Sequence, residues 1–103
     1  INSTNKEETE TQVRESLEKV INEGKIFAIV PLAKWHLSTP KKPDYNNAYL
    51  WLSVASAFNI ENTSKARNAI FKKINKKDLN EIQNEANEIY SSIIKLKNTT
   101  QME

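Results

Sequence analysis

The side chains that most often carry out catalysis are few in this chain and poorly placed for it. His36 is the single histidine, and the chain has no cysteine. Metal sites need several ligands, and no carboxylate stands at a ligand spacing on the same helix face as His36. No serine lies in a nucleophile setting, and a single glycine excludes a glycine-rich phosphate loop. The sequence therefore predicts neither a metal nor a cofactor.

The acidic side chains do not favour an enzyme either. Glu81, Glu85 and Glu88 share the polar side of a predicted C-terminal helix. Paired acids act as general acid and base only in a cleft that raises the pKa of one of them. We interpret these three as a solvated face. The sequence predicts a non-enzymatic protein without a small-molecule substrate.

The densest basic cluster consists of Lys72, Lys73, Lys76 and Lys77. Cations stabilise a helix C-terminus, and a predicted helix end accounts for Lys72 and Lys73 in this way. Lys76 and Lys77 stand at the start of the next helix, where a cation is unfavourable, so they have no such local reason. All four are candidate partner-binding residues, either for an acidic protein surface or for a phosphate backbone.

A second candidate contact surface combines tyrosines with lysines. Tyr45 and Tyr49 lie one helical turn apart, beside the loop that carries Lys41 and Lys42. Exposed tyrosine next to charge is typical of interface hot spots. Core placement is an equal alternative for each tyrosine, because so small a domain must bury most of its aromatic rings.

The composition favours an all-helical fold. Of 103 residues, 38% are hydrophobic and 27% are charged, with a single glycine and three prolines. So few turn-forming residues do not supply the tight turns of β-hairpins or sandwiches. The net charge of +2 is too small to indicate a nucleic-acid-binding surface. No apolar run approaches the roughly 18 residues of a membrane span.

Apolar periodicity predicts four or five antiparallel helices in one domain over residues 8–97, with disordered or frayed ends at 1–7 and 98–103. The first helix spans about 8–23 and ends at Gly24, and a short second helix ends near Leu37 with Pro31 in its first turn or at a kink. The central helix comes next and is described below. A third helix over about 61–73 follows it.

The central helix lies within residues 43–59 and begins at the cap Asp44. Alanines alternate there with large rings, a pattern that predicts a helix packed between neighbours, with Trp51 in a buried row. A last helix begins at a capping box formed by Asn75 and Asp78. It carries an apolar seam from Leu79 onwards at spacings of three and four residues, typical of a coiled coil.

Small and aromatic residues between Leu32 and Ala66 follow a helical-repeat pattern. The matching positions are Ala33, Asp44, Tyr45, Ala48, Tyr49, Trp51, Ala55 and Ala57, with Ala66 opening a next repeat. This segment resembles the Sel-one-like repeat, a relative of the tetratricopeptide repeat, and residues 65–90 resemble the helical extension that closes such arrays. The family pattern has glycines before the aspartate and after the small residues. In this chain residues 39–42 stand at the first of these places and Phe58-Asn59 at the second.

The resemblance implies α–α hairpin packing and a protein–protein interaction module, such as a bacterial adaptor or a toxin-neutralising (immunity) protein. Its partner would be another protein, such as a bacterial effector toxin, bound in a helical groove. Two alternatives are a nucleic-acid or anionic-surface binder using residues 72–77 and a homo-oligomer formed through the last helix. The opening Ile1 is compatible with a trimmed or mature chain, so a periplasmic, secreted or cytoplasmic location stays open.

Overall fold

Five α-helices account for most of the regular structure of the described residues. The computed structural model describes the backbone of residues 2–38 and 42–102 and the side chains of 8–38 and 42–98. The helices are α1 (Asn2–Asn22), α2 (Ile29–Leu37), α3 (Tyr45–Ala57), α4 (Thr63–Ile70) and α5 (Lys76–Met102). Short 3₁₀ turns precede α2 (Ile26–Ala28) and α5 (Phe71–Lys73). No strand occurs over these residues, and the predicted all-α class is confirmed.

Helix α1 ends at the predicted glycine. Gly24 has a φ of +90°, a conformation that costs glycine little. Its N–H donates to the Ile21 carbonyl at 2.8 Å, and the Lys25 N–H donates to the Val20 carbonyl at 3.2 Å. These two bonds form the Schellman motif, which satisfies carbonyls that the last helical turn leaves free. The chain then reverses into α2, where Pro31 occupies the first turn.

Helix α3 is the middle element. Six of its thirteen residues are buried, and it packs against α2, α4 and α5. The buried residues are Ala48, Tyr49, Leu50, Leu52, Val54 and Ala55. They cover more than one side of the helix, since Leu50 and Leu52 are separated by about 200° at 3.6 residues per turn. The predicted central helix between neighbours is therefore present, although Trp51 is half-buried at its surface.

A second left-handed residue ends α3. Asn59 has a φ of 60°, and its N–H donates to the Ser56 carbonyl at 2.9 Å. The Ile60 N–H donates to the Ala55 carbonyl at 3.1 Å, which completes another Schellman motif. Helix α4 begins after Asn62, which also has a positive φ and makes no side-chain capping bond.

Helix α5 begins with the Asn75 half of the predicted capping box. The Asn75 Oδ1 accepts a hydrogen bond from the Lys77 N–H at 3.1 Å. The Asp78 carboxylate accepts instead from the Asn46 Nδ2 of α3 at 3.2 Å, so it links two helices. The seam packs within the chain, because Ile82, Ala86 and Ile93 are buried and α5 contacts α3.

Helical backbone reaches into both segments that the sequence analysis expects to fray, since α1 begins at Asn2 and α5 ends at Met102. Fraying of these ends stays a prediction. Over the residues that the structure describes, no helix has the length and apolar character needed to cross a bilayer.

The core predicts a large loss of stability for Leu32→Ala. Leu32 is 0% exposed in α2, at the contact with α3. We expect the free energy of unfolding to fall by about 2–5 kcal/mol, because the lost side chain leaves a cavity. Leu96→Ala is a matched control, since Leu96 is 42% exposed. Urea unfolding measures both; equal losses in the two variants would contradict the assigned core.

Candidate functional site

Several of the candidate functional side chains line a cleft of about 970 Å³. It is bounded by α1, by the turn from α2 into α3, and by α5, and Leu50 and Trp51 of α3 line it. The charged and aromatic lining includes Glu10, Arg14, Trp35, Tyr45, Lys73 and Glu85. We refer to this site as the main cleft.

One aspartate links the end of α2 to the start of α3. The Asp44 Oδ1 accepts from the Asn47 N–H at 3.1 Å, and its Oδ2 accepts from the Asn47 Nδ2 at 2.7 Å. The Asp44 N–H donates to the carbonyl of His36 at 2.9 Å. The residue therefore caps α3 and ties its start to the end of α2. This fixes one wall of the main cleft.

His36 lies under that wall. It is 7% exposed, its Nδ1 is 3.9 Å from the Asp44 Oδ2, and its ring meets the Trp35 ring edge-on at 5.1 Å between centroids. Burial lowers the pKa of His36, an effect that the Asp44 and Glu18 carboxylates oppose and Arg14 reinforces. The histidine is therefore a buried and largely neutral residue at pH 7.

Cations lie over aromatic rings at two places in the main cleft. The Arg14 guanidinium is 5.8 Å from the centre of the Trp35 ring and forms an ion pair with Glu18 at 3.0 Å. The Lys73 Nζ is 5.9 Å from the centre of the Tyr45 ring. Both distances are within the range of cation–π attraction. These contacts hold aromatic faces and charges together at the opening of the cleft.

The structure separates the predicted contact residues into three groups. Lys42, Tyr45 and Lys73 line the main cleft. Lys72, Lys76 and Lys77 are exposed but lie outside it. Tyr49 is only 4% exposed, so its prediction as a contact residue is wrong and the alternative, core placement, is correct. The predicted residue Lys41 lies outside the described residues, as do Thr39 and Pro40.

The burial of Tyr49 follows from its position on α3. Its ring packs 6.1 Å from that of Phe71 on the 3₁₀ turn before α5, and Phe71 itself is 47% exposed. Tyr45 is one turn earlier, at the open end of the helix, where it is half-buried. A partner can therefore reach Tyr45 but not Tyr49, although the two tyrosines are one helical turn apart.

Sequence reasoning missed the contribution of α1. Arg14 and Glu18 enter the main cleft from a helix that the sequence places far from α5. Their i, i+4 spacing signals an ion pair on one helix face but not what that face meets. The prediction that Trp51 lies in a buried row is corrected here, because Trp35 and Trp51 are both half-buried in the cleft lining.

The described side chains include no group of three or more His, Cys, Asp or Glu residues that could hold a metal ion. What the main cleft offers is aromatic surface with charges of both signs. No family model, curated protein or solved structure matches this chain. The resemblance to the Sel-one-like repeat therefore stays a prediction.

Buried His36 predicts a loss of stability in mild acid. Its folded-state pKa lies below the ordinary value of about 6.5, so the unfolded chain binds more protons between the two values. The contribution of His36 to the free energy of unfolding is therefore fully present above about pH 6.5 and falls as the pH drops toward the folded pKa. Urea unfolding from about pH 7.5 to about pH 5.5 measures this fall.

Two variants isolate the histidine. His36→Gln removes the titrating group and should weaken the dependence on pH over this range. Asp44→Asn keeps a good N-cap but removes the carboxylate, so it should lower the pKa of His36 further. Because the chain has one histidine, an NMR titration reads this pKa directly. A pKa of His36 above about 6.5 in the wild-type protein would contradict the assignment.

Proposed function

We propose that this chain is a non-enzymatic protein-interaction module that binds a partner protein in the main cleft. The observation that carries the proposal is the set of half-buried rings of Trp35, Tyr45 and Trp51 in one cleft. Trp, Tyr and Arg are the residues most enriched at interface hot spots. Such rings offer a large contact area at little cost in side-chain entropy.

Further support comes from how the main cleft is held. Most of its residues stand on helices that pack on α3 or on α2, and Asp44 links α2 to α3 by hydrogen bonds. Fixed side chains lose less freedom when a partner binds. His36 and Asp44, the groups that a catalytic proposal would use first, have structural tasks in the core and at the N-cap.

Within this class, a toxin-neutralising (immunity) protein or an adaptor is the specialisation that the Sel-one-like resemblance favours. An immunity protein would block the active site of an effector by surface complementarity and would need no chemistry of its own. The mixed charges around the cleft, with Arg14 and Lys73 beside Glu10 and Glu85, suit a charged and complementary partner surface.

A second candidate function is binding of nucleic acid or another anionic surface. It is favoured by the exposure of Lys72, Lys73, Lys76 and Lys77 on adjoining turns of the chain. Such binding would weaken steeply with added salt, because it releases counterions. The third alternative, a homo-oligomer through the last helix, is disfavoured because the seam residues Ile82, Ala86 and Ile93 are buried within one chain.

Adjacent lysines provide a matched test of the main cleft. Lys73 lines the cleft and Lys72 does not. The immobilised wild-type chain is used to capture a protein from an extract of the source organism. We expect Lys73→Glu and Trp35→Ala each to abolish this capture. Lys72→Glu makes the same change in charge at the neighbouring position. It should retain the captured protein, because Lys72 lies outside the main cleft. Mass spectrometry of the captured proteins, compared between variants, gives the result.

The salt dependence separates the candidate functions. Retention of the captured protein in moderate salt, together with the difference between the two lysine variants, would support the cleft. Equal losses with Lys72→Glu, Lys73→Glu and Lys76→Glu, along with release by modest salt, would reject it in favour of the anionic-surface alternative.

A further inference from the structure

A second and smaller pocket adjoins the main cleft between α1 and α5. Its volume is about 430 Å³, and it shares Glu18, Trp51, Glu85 and Ile89 with the cleft. Together the two cavities form one groove with α1 on one side and α5 on the other. We refer to the smaller cavity as the acidic pocket.

Apolar side chains form much of the acidic pocket. Ile21 and Ile93 are buried, Trp51 and Ile89 are half-buried, and Leu96 is 42% exposed. A partly exposed group of this kind gains stability when apolar atoms of a partner cover it. The pocket can therefore receive one or more apolar side chains.

The charges at this pocket have a single sign. Glu18, Glu85 and Glu88 line it, and no basic residue with a described side chain does. Glu18 is paired with Arg14, whereas Glu85 and Glu88 are exposed and form no ion pair with any residue whose side chain is described. A cation beside the apolar group would therefore find two unpaired carboxylates, and an anion would be repelled.

The dimensions of the groove favour a helical occupant. On α5 the lining residues run from Glu85 to Leu96, and on α1 from Glu10 to Asn22, about three turns in each case. Three turns correspond to roughly 16 Å at 1.5 Å per residue. A partner helix of this length presents apolar residues at i, i+3 or i+4, and i+7 to such a groove.

We propose that the groove binds a basic amphipathic helix of a partner protein. Apolar residues of this helix occupy the acidic pocket against Trp51 and Ile89, and flanking Lys or Arg side chains pair with Glu85 and Glu88. The proposal rests on the proposed function, since it names the chemistry of the partner, and it extends the contact surface beyond the main cleft.

Two synthetic helical peptides test the chemistry of the occupant. Both carry leucines at i, i+4 and i+7; the flanking residues are lysines in one peptide and glutamates in the other. We expect the lysine peptide to bind the chain, and the glutamate peptide to bind at least about tenfold more weakly because of the carboxylates. Fluorescence anisotropy of labelled peptides measures both affinities.

Neighbouring serines on α5 allow the pocket to be filled selectively. Ser92 lines the acidic pocket, whereas Ser91 lines neither cavity, and both are exposed. Ser92→Phe should weaken binding of the lysine peptide by about tenfold or more, and Ser91→Phe should leave it unchanged. Glu88→Lys should weaken it as well, in contrast to Glu61→Lys at an exposed position outside both cavities. Circular dichroism checks that each variant is folded.

Each contrary result has a defined meaning. Equal binding of the two peptides, or equal effects of Ser91→Phe and Ser92→Phe, would overturn the inference. So would self-association of the chain that Ser92→Phe abolishes, because the occupant would then be a second copy. If a captured protein depends on Lys73 and the lysine peptide does not bind, the inference fails and the proposed function stands. If the lysine peptide binds as predicted and no captured protein depends on Lys73, the proposed function fails at the main cleft.

Discussion

The structure depends on the burial of α3 between α2, α4 and α5. Ala48 and Ala55 are 0% exposed, and their small side chains let neighbouring helices approach the α3 backbone. Leu50, Leu52 and Val54 then fill the space on several sides of the helix. Helix α1 packs against α2 and its preceding 3₁₀ turn, and it faces α5 across the groove. The arrangement that forms the core therefore also forms the groove.

Small polar residues set the helix ends that the groove requires. Asp44 caps α3 and is bonded to the carbonyl of His36, so one residue serves both the fold and the wall of the main cleft. Gly24 and Asn59 each take the left-handed conformation that ends a helix in a Schellman motif. Near the start of α5, the Asp78 carboxylate accepts a hydrogen bond from an asparagine of α3 and so ties these two helices together.

Local signals made most of the fold predictable, and long-range packing made the site largely unpredictable. The caps Asp44 and Asn75 and the stop at Gly24 depend on residues close in sequence, so they could be predicted. The choice between the two tyrosines of α3 depended on which turn of the helix its neighbours cover, and no local pattern gives this. Arg14 reaches the main cleft because α1 lies opposite α5, and this too is a long-range effect.

The central claim, that α3 is the middle of the core, is tested most directly by native-state hydrogen exchange followed by NMR. The account predicts that the amides of Leu50, Val54 and Ala55 exchange only through global unfolding and are among the slowest in the chain. Amides in the middle of α1, which has fewer neighbours, should exchange through local opening at lower free energy. Exchange of the α3 amides at or above the rate of those in α1 would contradict the account.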